Sequence, residues 1–423
     1  MKKVIIGLLP LLLILPACKN SEDTGSVITG SVKTRIDSTL KSFIDSNKTV
    51  AVSALVFEKG REVYFNAFGY ADRENNRPMD RNTIVRIFSM TKPITGVALM
   101  TLYEKEAFQL DDPLSKYLPE YSDMKVFAGV NEKGNAILET VRRPITIRDI
   151  TRHTAGFAGA DTTVLGKMVR QTDAMSREIT LSEMSKRLAS LPLAFHPGDQ
   201  WAYGPSVDVQ ACLVEKLSGK SFDVYIKENI LDPLQMHNTR YVIPESDLQR
   251  FAALYNRNDS NGELRRASDE QANSFNTKDW PLKPGGFGLT STVDDYMKFA
   301  QMLIHKGEYK GVRILKPETV ELMSTSQLSD TITKRMWLPS KGQVGFGIDF
   351  AVRTAYPKSK DENNGEIGEF FWDGAASTLF WVDPKNELTA VLFTQLMPFD
   401  RIKLHKKFRD AVYGKYDPEA NDH

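Results

Sequence analysis

Cysteine is nearly absent from this chain: Cys18 and Cys212 are the two in 423 residues. That excludes a disulfide framework and any zinc site built on cysteine clusters. Histidine is scarce too, with six residues and no H-E-x-x-H or comparable spacing, so neither a metal nor a cofactor is expected. Neither sign of charge dominates: 55 Lys and Arg stand against 54 Asp and Glu, a net charge of +1. The basic residues are scattered, which argues against a nucleic-acid partner. Long apolar runs are missing except at residues 4–15, a stretch too short to cross a bilayer of about 30 Å. What remains is the composition of a soluble globular protein, 41% hydrophobic and 26% charged. The length suits one large or two moderate domains.

The N-terminal run has the form of a targeting segment. Lys2 and Lys3 precede the apolar stretch, and residues 1–17 read as a signal peptide. The stretch ends in Leu15-Pro16-Ala17-Cys18, which resembles a bacterial lipobox with Pro16 in place of the usual small residue. Cys18 is therefore the expected lipidation site, attaching the mature protein to a membrane. The expected location is the cell envelope, outside the cytoplasm. Residues 18–30 are mostly small and polar and read as a flexible tether.

Beyond the tether, residues 32–47 carry an amphipathic helical pattern, and 50–57 and 62–70 form a strand pair around Glu58-Lys59-Gly60-Arg61. A helix is expected from Ser89 to about Lys105. Residues 111–284 alternate short helices with polar loops, and strands are scarce there. Thr146 and Asp149 fit a helix start of capping-box type. Residues 181–190, 207–218 and 222–230 are further helices, as are 292–305 and 317–324. Residues 344–352, 370–372, 377–382 and 389–393 read as strands, and 399–413 as a C-terminal helix. Early and late strands are expected to share one antiparallel sheet. The fold class is thus α+β. A sheet domain of residues 31–110 and 285–415 is interrupted by a mostly helical domain at 111–284.

The chemistry centres on Ser89-Met90-Thr91-Lys92. On a helix, residues three apart share a face at roughly 5–6 Å between Cβ atoms. An amine at that distance can take the serine's hydroxyl proton and make it a nucleophile. Burial in an apolar run favours the neutral form of an amine, as a general base requires. The same S-x-x-K spacing recurs at Ser38 and Lys41, but on an amphipathic helix where Lys41 faces water. Around Lys92 there is no polar face: Val97, Ala98, Leu99, Met100 and Leu102 follow almost without a break. Tyr203 follows a Pro-Gly turn and directly precedes a helix, so its phenol can share proton transfer if it lies near Lys92. His153 sits in a polar loop, where an anchoring role is expected. Residues 369–380 read as strand, small-residue turn and strand, a form that lets substrate approach the backbone.

In their order, these motifs resemble the serine β-lactamase and penicillin-binding superfamily. The resemblance is to the class C-like branch that includes the family VIII carboxylesterases. It rests on Ser89-Met90-Thr91-Lys92, on 148–156 around His153, on Pro197-Gly198 with Trp201 and Tyr203, on Pro233-Leu234-Gln235-Met236, on Gly285–Thr292, and on Trp372-Asp373-Gly374. It implies a β-lactamase-like fold, with Ser89 as acyl-accepting nucleophile, Lys92 as general base and Tyr203 as proton relay. It implies an oxyanion hole made by the backbone N–H groups of Ser89 and Ala375.

Two departures bear on substrate. Pro205 stands where the tyrosine motif carries asparagine, and Trp372-Asp373-Gly374 stands where lactamases carry Lys-Thr-Gly. Pro205, Trp372, Asp373 and Gly374 are accordingly the expected substrate-binding positions. Without the lysine's charge, and with Asp373 expected to repel a carboxylate, the substrate expected is a small acyl ester. A β-lactamase or D-amino-acid carboxypeptidase is the alternative within the class. A non-catalytic cell-envelope binding protein is the alternative outside it.

Overall fold

The structure is a computed structural model that describes residues 25–417. The signal peptide, Cys18 and the first part of the tether lie outside the described residues. Eight strands form one antiparallel sheet: β1 (Ala51–Glu58), β2 (Arg61–Asp72), β3 (Arg77–Pro78), β4 (Val344–Phe346), β5 (Ala351–Arg353), β6 (Phe370–Asp373), β7 (Leu379–Asp383) and β8 (Leu388–Phe393). Their order is β4-β5-β6-β7-β8-β1-β2-β3. The first and last parts of the chain meet where Ser53 pairs with Phe393 and Glu58 with Leu388, as the expected shared sheet requires.

Both faces of the sheet are covered. Phe380 and Trp381 are neighbours on β7, so their side chains point to opposite faces. Phe380 packs edge-on against Tyr296 of α4 (Val293–Ile304). Trp381 packs against Phe408 of α5 (Leu404–Tyr413), which lies beside α1 (Gly30–Asp45). Every residue in β7 and β8 is buried, Asp383 and Thr389 included.

Helix α2 (Thr91–Tyr103) packs against α3 (Ser206–Ser218) and is buried from Thr91 through Leu102. A helix apolar all round belongs inside the protein, and α2 does. One apolar cluster runs from Val52 in the sheet through Ile94 and Leu99 of α2 to Val209 and Leu213 of α3. Helix α3 stops at Gly219, whose φ of 70° is the left-handed C-cap expected there. Segment 111–284 also carries a hairpin of Lys125–Val130 with Ala136–Thr140, and a pair of Tyr255–Arg257 with Leu264–Arg266.

Two elements differ from the sequence reading. Residues 344–352 form no single strand; they fold back between β4 and β5, pairing Val344 with Arg353. Asp349 takes φ 59° in this turn, and a side chain at Gly347 would overlap the Met323 carbonyl. The C-terminal helix begins at Leu404, which frees Phe399 to line a cavity.

The end of the sheet is held by buried charge. The Glu369 carboxylate accepts from Arg353 Nε at 2.9 Å and Arg409 Nη1 at 2.8 Å, and all three side chains are sealed from solvent. Removing one partner of such a cluster leaves uncompensated charge in the interior. Glu369→Gln is expected to cost about 3–5 kcal/mol, read as a lower urea midpoint with an unchanged slope.

Candidate active site

Ser89 sits on a single 3-10 turn, Phe88–Met90, that runs directly into α2. Phe88 takes φ 45°, a left-handed conformation that costs energy for a bulky side chain and marks a strained approach to the serine. One residue earlier, the Ile87 carbonyl lies against Gly374, where any side chain would overlap it. Glycine at 374 thus lets the β6–β7 turn close onto the serine's own turn. That turn brings Ala375 into a cavity of about 450 Å³ that Ser89 also lines.

Lys92 reaches back along α2 from the first turn. Its side chain is 5% exposed. Nζ donates to Ser89 Oγ at 3.3 Å and to the Gly286 carbonyl at 2.6 Å. It also lies 4.6 Å from the centre of the Tyr203 ring. Serine, lysine and tyrosine therefore converge. The contact between the last two is through the ring face, and the phenol oxygen is buried with no hydrogen-bond partner among the described residues. The second S-x-x-K copy is a surface feature: Lys41 is 59% exposed and pairs with Asp45.

Sequence reasoning missed what lies behind Lys92. The buried Asp208 carboxylate accepts the Gly286 N–H at 2.8 Å. Gly286 therefore bridges an acid on α3, through its N–H, to the lysine on α2, through its carbonyl. A Cβ on Gly286 would sit 2.9 Å from Asp208 Oδ2 and 3.2 Å from Lys92 Nζ, so a side chain here would press on both groups. Burial raises the Asp208 carboxyl above its ordinary value, and the Lys92 charge pulls against that rise. Asp349, held by Gln210 Nε2 at 3.1 Å, is raised further by complete burial, again opposed by Lys92. The one sequence signal was acid inside apolar runs, Val207-Asp208-Val209 and Ile348-Asp349-Phe350.

His153 is buried beneath the tyrosine, its ring 4.8 Å from that of Tyr203 and 5.4 Å from that of Phe346. Neither ring nitrogen has a partner among the described residues. The Thr146–Asp149 capping box sets its loop, with Thr154 also donating to Asp149 at 2.8 Å. Burial, aided by the Lys92 charge, holds His153 well below the ordinary histidine range, so it is a neutral aromatic prop.

The third motif needs a correction. Trp372 and Asp373 line the cavity, but Asp373 is not a bare negative charge. Lys341, from the turn Leu338–Lys341, forms an ion pair with it. The cavity therefore contains a lysine that the local motif lacks. Pro205 is the N-cap of α3, where its carbonyl accepts from Asp208 N and Val209 N, and it does not line this cavity. Among the described residues, no group of three or more His, Cys, Asp or Glu is placed to hold a metal ion.

A serine hydroxyl, a buried amine and a tyrosine ring meet at the lip of an aromatic cavity on an α+β scaffold, a geometry in which the amine can activate the hydroxyl. The chain belongs to the Beta-lactamase family, whose model matches residues 36–413. It is 32% identical over 365 residues to Protein Rv1367c of Mycobacterium tuberculosis, covering 85% of this chain and 89% of that one. It is 27% identical over 365 residues to the Monacolin J acid methylbutanoyltransferase of Aspergillus terreus, covering 80% and 84%. Among solved structures, EstCE1, described as a hydrolase with promiscuous acyltransferase activity, superposes with a TM-score of 0.73 at 25% identity, over 91% of this chain and 99% of that one.

The neutral His153 gives a pH prediction. Its folded value lies below the ordinary 6.5, so as pH falls below 6.5 the unfolded chain binds a proton that the folded chain does not. Stability is full above that pH and falls with acid, by up to about 1.4 kcal/mol per pH unit. His153→Asn, which tolerates the local φ of 59°, should remove this share of the slope between pH 6.5 and 5. Asp208 and Asp349 shift stability in the opposite sense and are common to both proteins. Urea denaturation across that range checks the difference.

Proposed function

We propose that the protein is a serine hydrolase of small carboxylic esters that works through an acyl-enzyme on Ser89. The observation that carries this reading is the buried Lys92 amine 3.3 Å from Ser89 Oγ at the edge of an aromatic cavity. In this reading Ser89 Oγ attacks the ester carbonyl as its proton passes to Lys92. The backbone N–H groups of Ser89 and Ala375 stabilise the oxyanion. The alcohol then leaves with a proton relayed from Lys92, and Tyr203 assists the relay. Water, activated by the same amine, releases the acid and restores Ser89. The family match, the esterase-like third motif and the hydrolase activity in EstCE1's description support ester chemistry.

Transfer of the acyl group to an alcohol instead of water is a second reading of the same intermediate. It is favoured by the acyltransferase names of the monacolin relative and EstCE1. Export and lipid anchoring at Cys18 are proposed as well, on the strength of Lys2, Lys3, the apolar run and Leu15-Pro16-Ala17-Cys18.

Turnover of a short-chain aryl ester should exceed that of a chromogenic cephalosporin by about 100-fold in kcat/KM, and Ser89→Ala should lose about 10³-fold or more. Preference for the cephalosporin would overturn the ester reading in favour of a β-lactamase or peptidase. No turnover of either would favour a binding protein. Adding an alcohol and measuring the transfer product separates hydrolysis from transfer.

A further inference from the structure

Lys341 and Asp373 are 32 residues apart and come from different elements, a 3-10 turn and the end of β6. Their side chains are only 6% and 10% exposed, yet both line the cavity that Ser89 lines. The rest of their surroundings is aromatic. Lys341 Nζ lies 4.8 Å from the Phe399 ring centre, 5.0 Å from Trp372 and 5.1 Å from Trp337. A buried ion pair is seldom retained for stability alone, because desolvating two charges offsets their attraction. This pair borders the substrate space rather than the core.

We propose that the Lys341–Asp373 pair is the specificity element of this site, an internal salt bridge that keeps the cavity neutral and selects uncharged acyl groups over anionic ones. The inference rests on the ester reading and names its substrate class. Each charge alone would do the opposite of the other. Asp373 without Lys341 would set a bare carboxylate beside the acyl group and repel an acid. Lys341 without Asp373 would be a cation caged by three rings, with its donors free for a substrate carboxylate. Only together do they leave apolar rings as the dominant contact. The cavity of about 450 Å³ is within the range of small-molecule sites.

The test uses two 4-nitrophenyl esters of equal chain length, the neutral hexanoate and the anionic adipate monoester, and reads the ratio of kcat/KM for adipate over hexanoate. The wild-type ratio should be about 0.1 or lower. Asp373→Asn should raise it at least about tenfold, and Lys341→Gln should lower it further, because a unit charge a few ångströms away in a partly desolvated site has at least that effect. The double variant, neutral again, should return to within about threefold of wild type. A merely structural pair would change both esters alike and leave the ratio still. Single-variant ratios within threefold of wild type, with hexanoate still cleaved, would overturn the proposal. So would a wild-type ratio of one or more, which is decisive even if a single variant fails to fold. Absence of hexanoate turnover in the wild type would instead count against the ester reading itself.

Discussion

The site depends on holding one lysine side chain inside a helix that is buried on every side. Lys92 is tolerated there because its Nζ meets the Gly286 carbonyl at 2.6 Å and Ser89 Oγ at 3.3 Å. A buried amine with no such partners would cost several kcal/mol. Satisfying it fixes much else. The loop carrying Gly286 approaches α2, and a side chain at 286 would crowd Lys92 and Asp208. The N–H of the same glycine is held by Asp208 on α3, so the packing of α2 on α3 and the geometry of the lysine are coupled.

The sheet supplies the second half of the site. Both faces of β7 and β8 are packed, and the β6–β7 hairpin joins two inner strands of the sheet. Gly374 lets its turn close against the Ile87 carbonyl, next to the strained Phe88. Trp372, Trp337 and Tyr203 then form one continuous aromatic wall, with ring centres 5.0–6.1 Å apart. Aromatic contacts at such distances give both apolar area and geometric preference. His153, neutral and with no hydrogen-bond partner for its ring nitrogens among the described residues, completes the wall from behind.

Much of this was legible in the sequence because its cause is local. The S-x-x-K spacing, its apolar flank, the Thr146–Asp149 cap and the Gly219 stop each lie within a few residues of chain, and each stands where expected. The shared sheet was legible too, since strand patterns open and close the chain around a mostly helical middle. What escaped notice depends on residues distant in sequence. Lys341 lies in an unremarkable turn and matters only because folding places it on Asp373. Asp208 and Asp349 stand inside short apolar stretches, but their role emerges only when folding buries both near Lys92. The apolar run 344–352 reads as one strand, because period-two patterning does not register a turn whose residues are themselves buried.

The most direct test of the account is covalent. The full chain is mixed with a 4-nitrophenyl ester, quenched in acid during the burst, digested and mapped by mass spectrometry. The account predicts the acyl mass on the peptide carrying Ser89, and no adduct there when Ser89 is replaced by alanine. An acyl group on any other residue, or ester turnover that persists without Ser89, would contradict it.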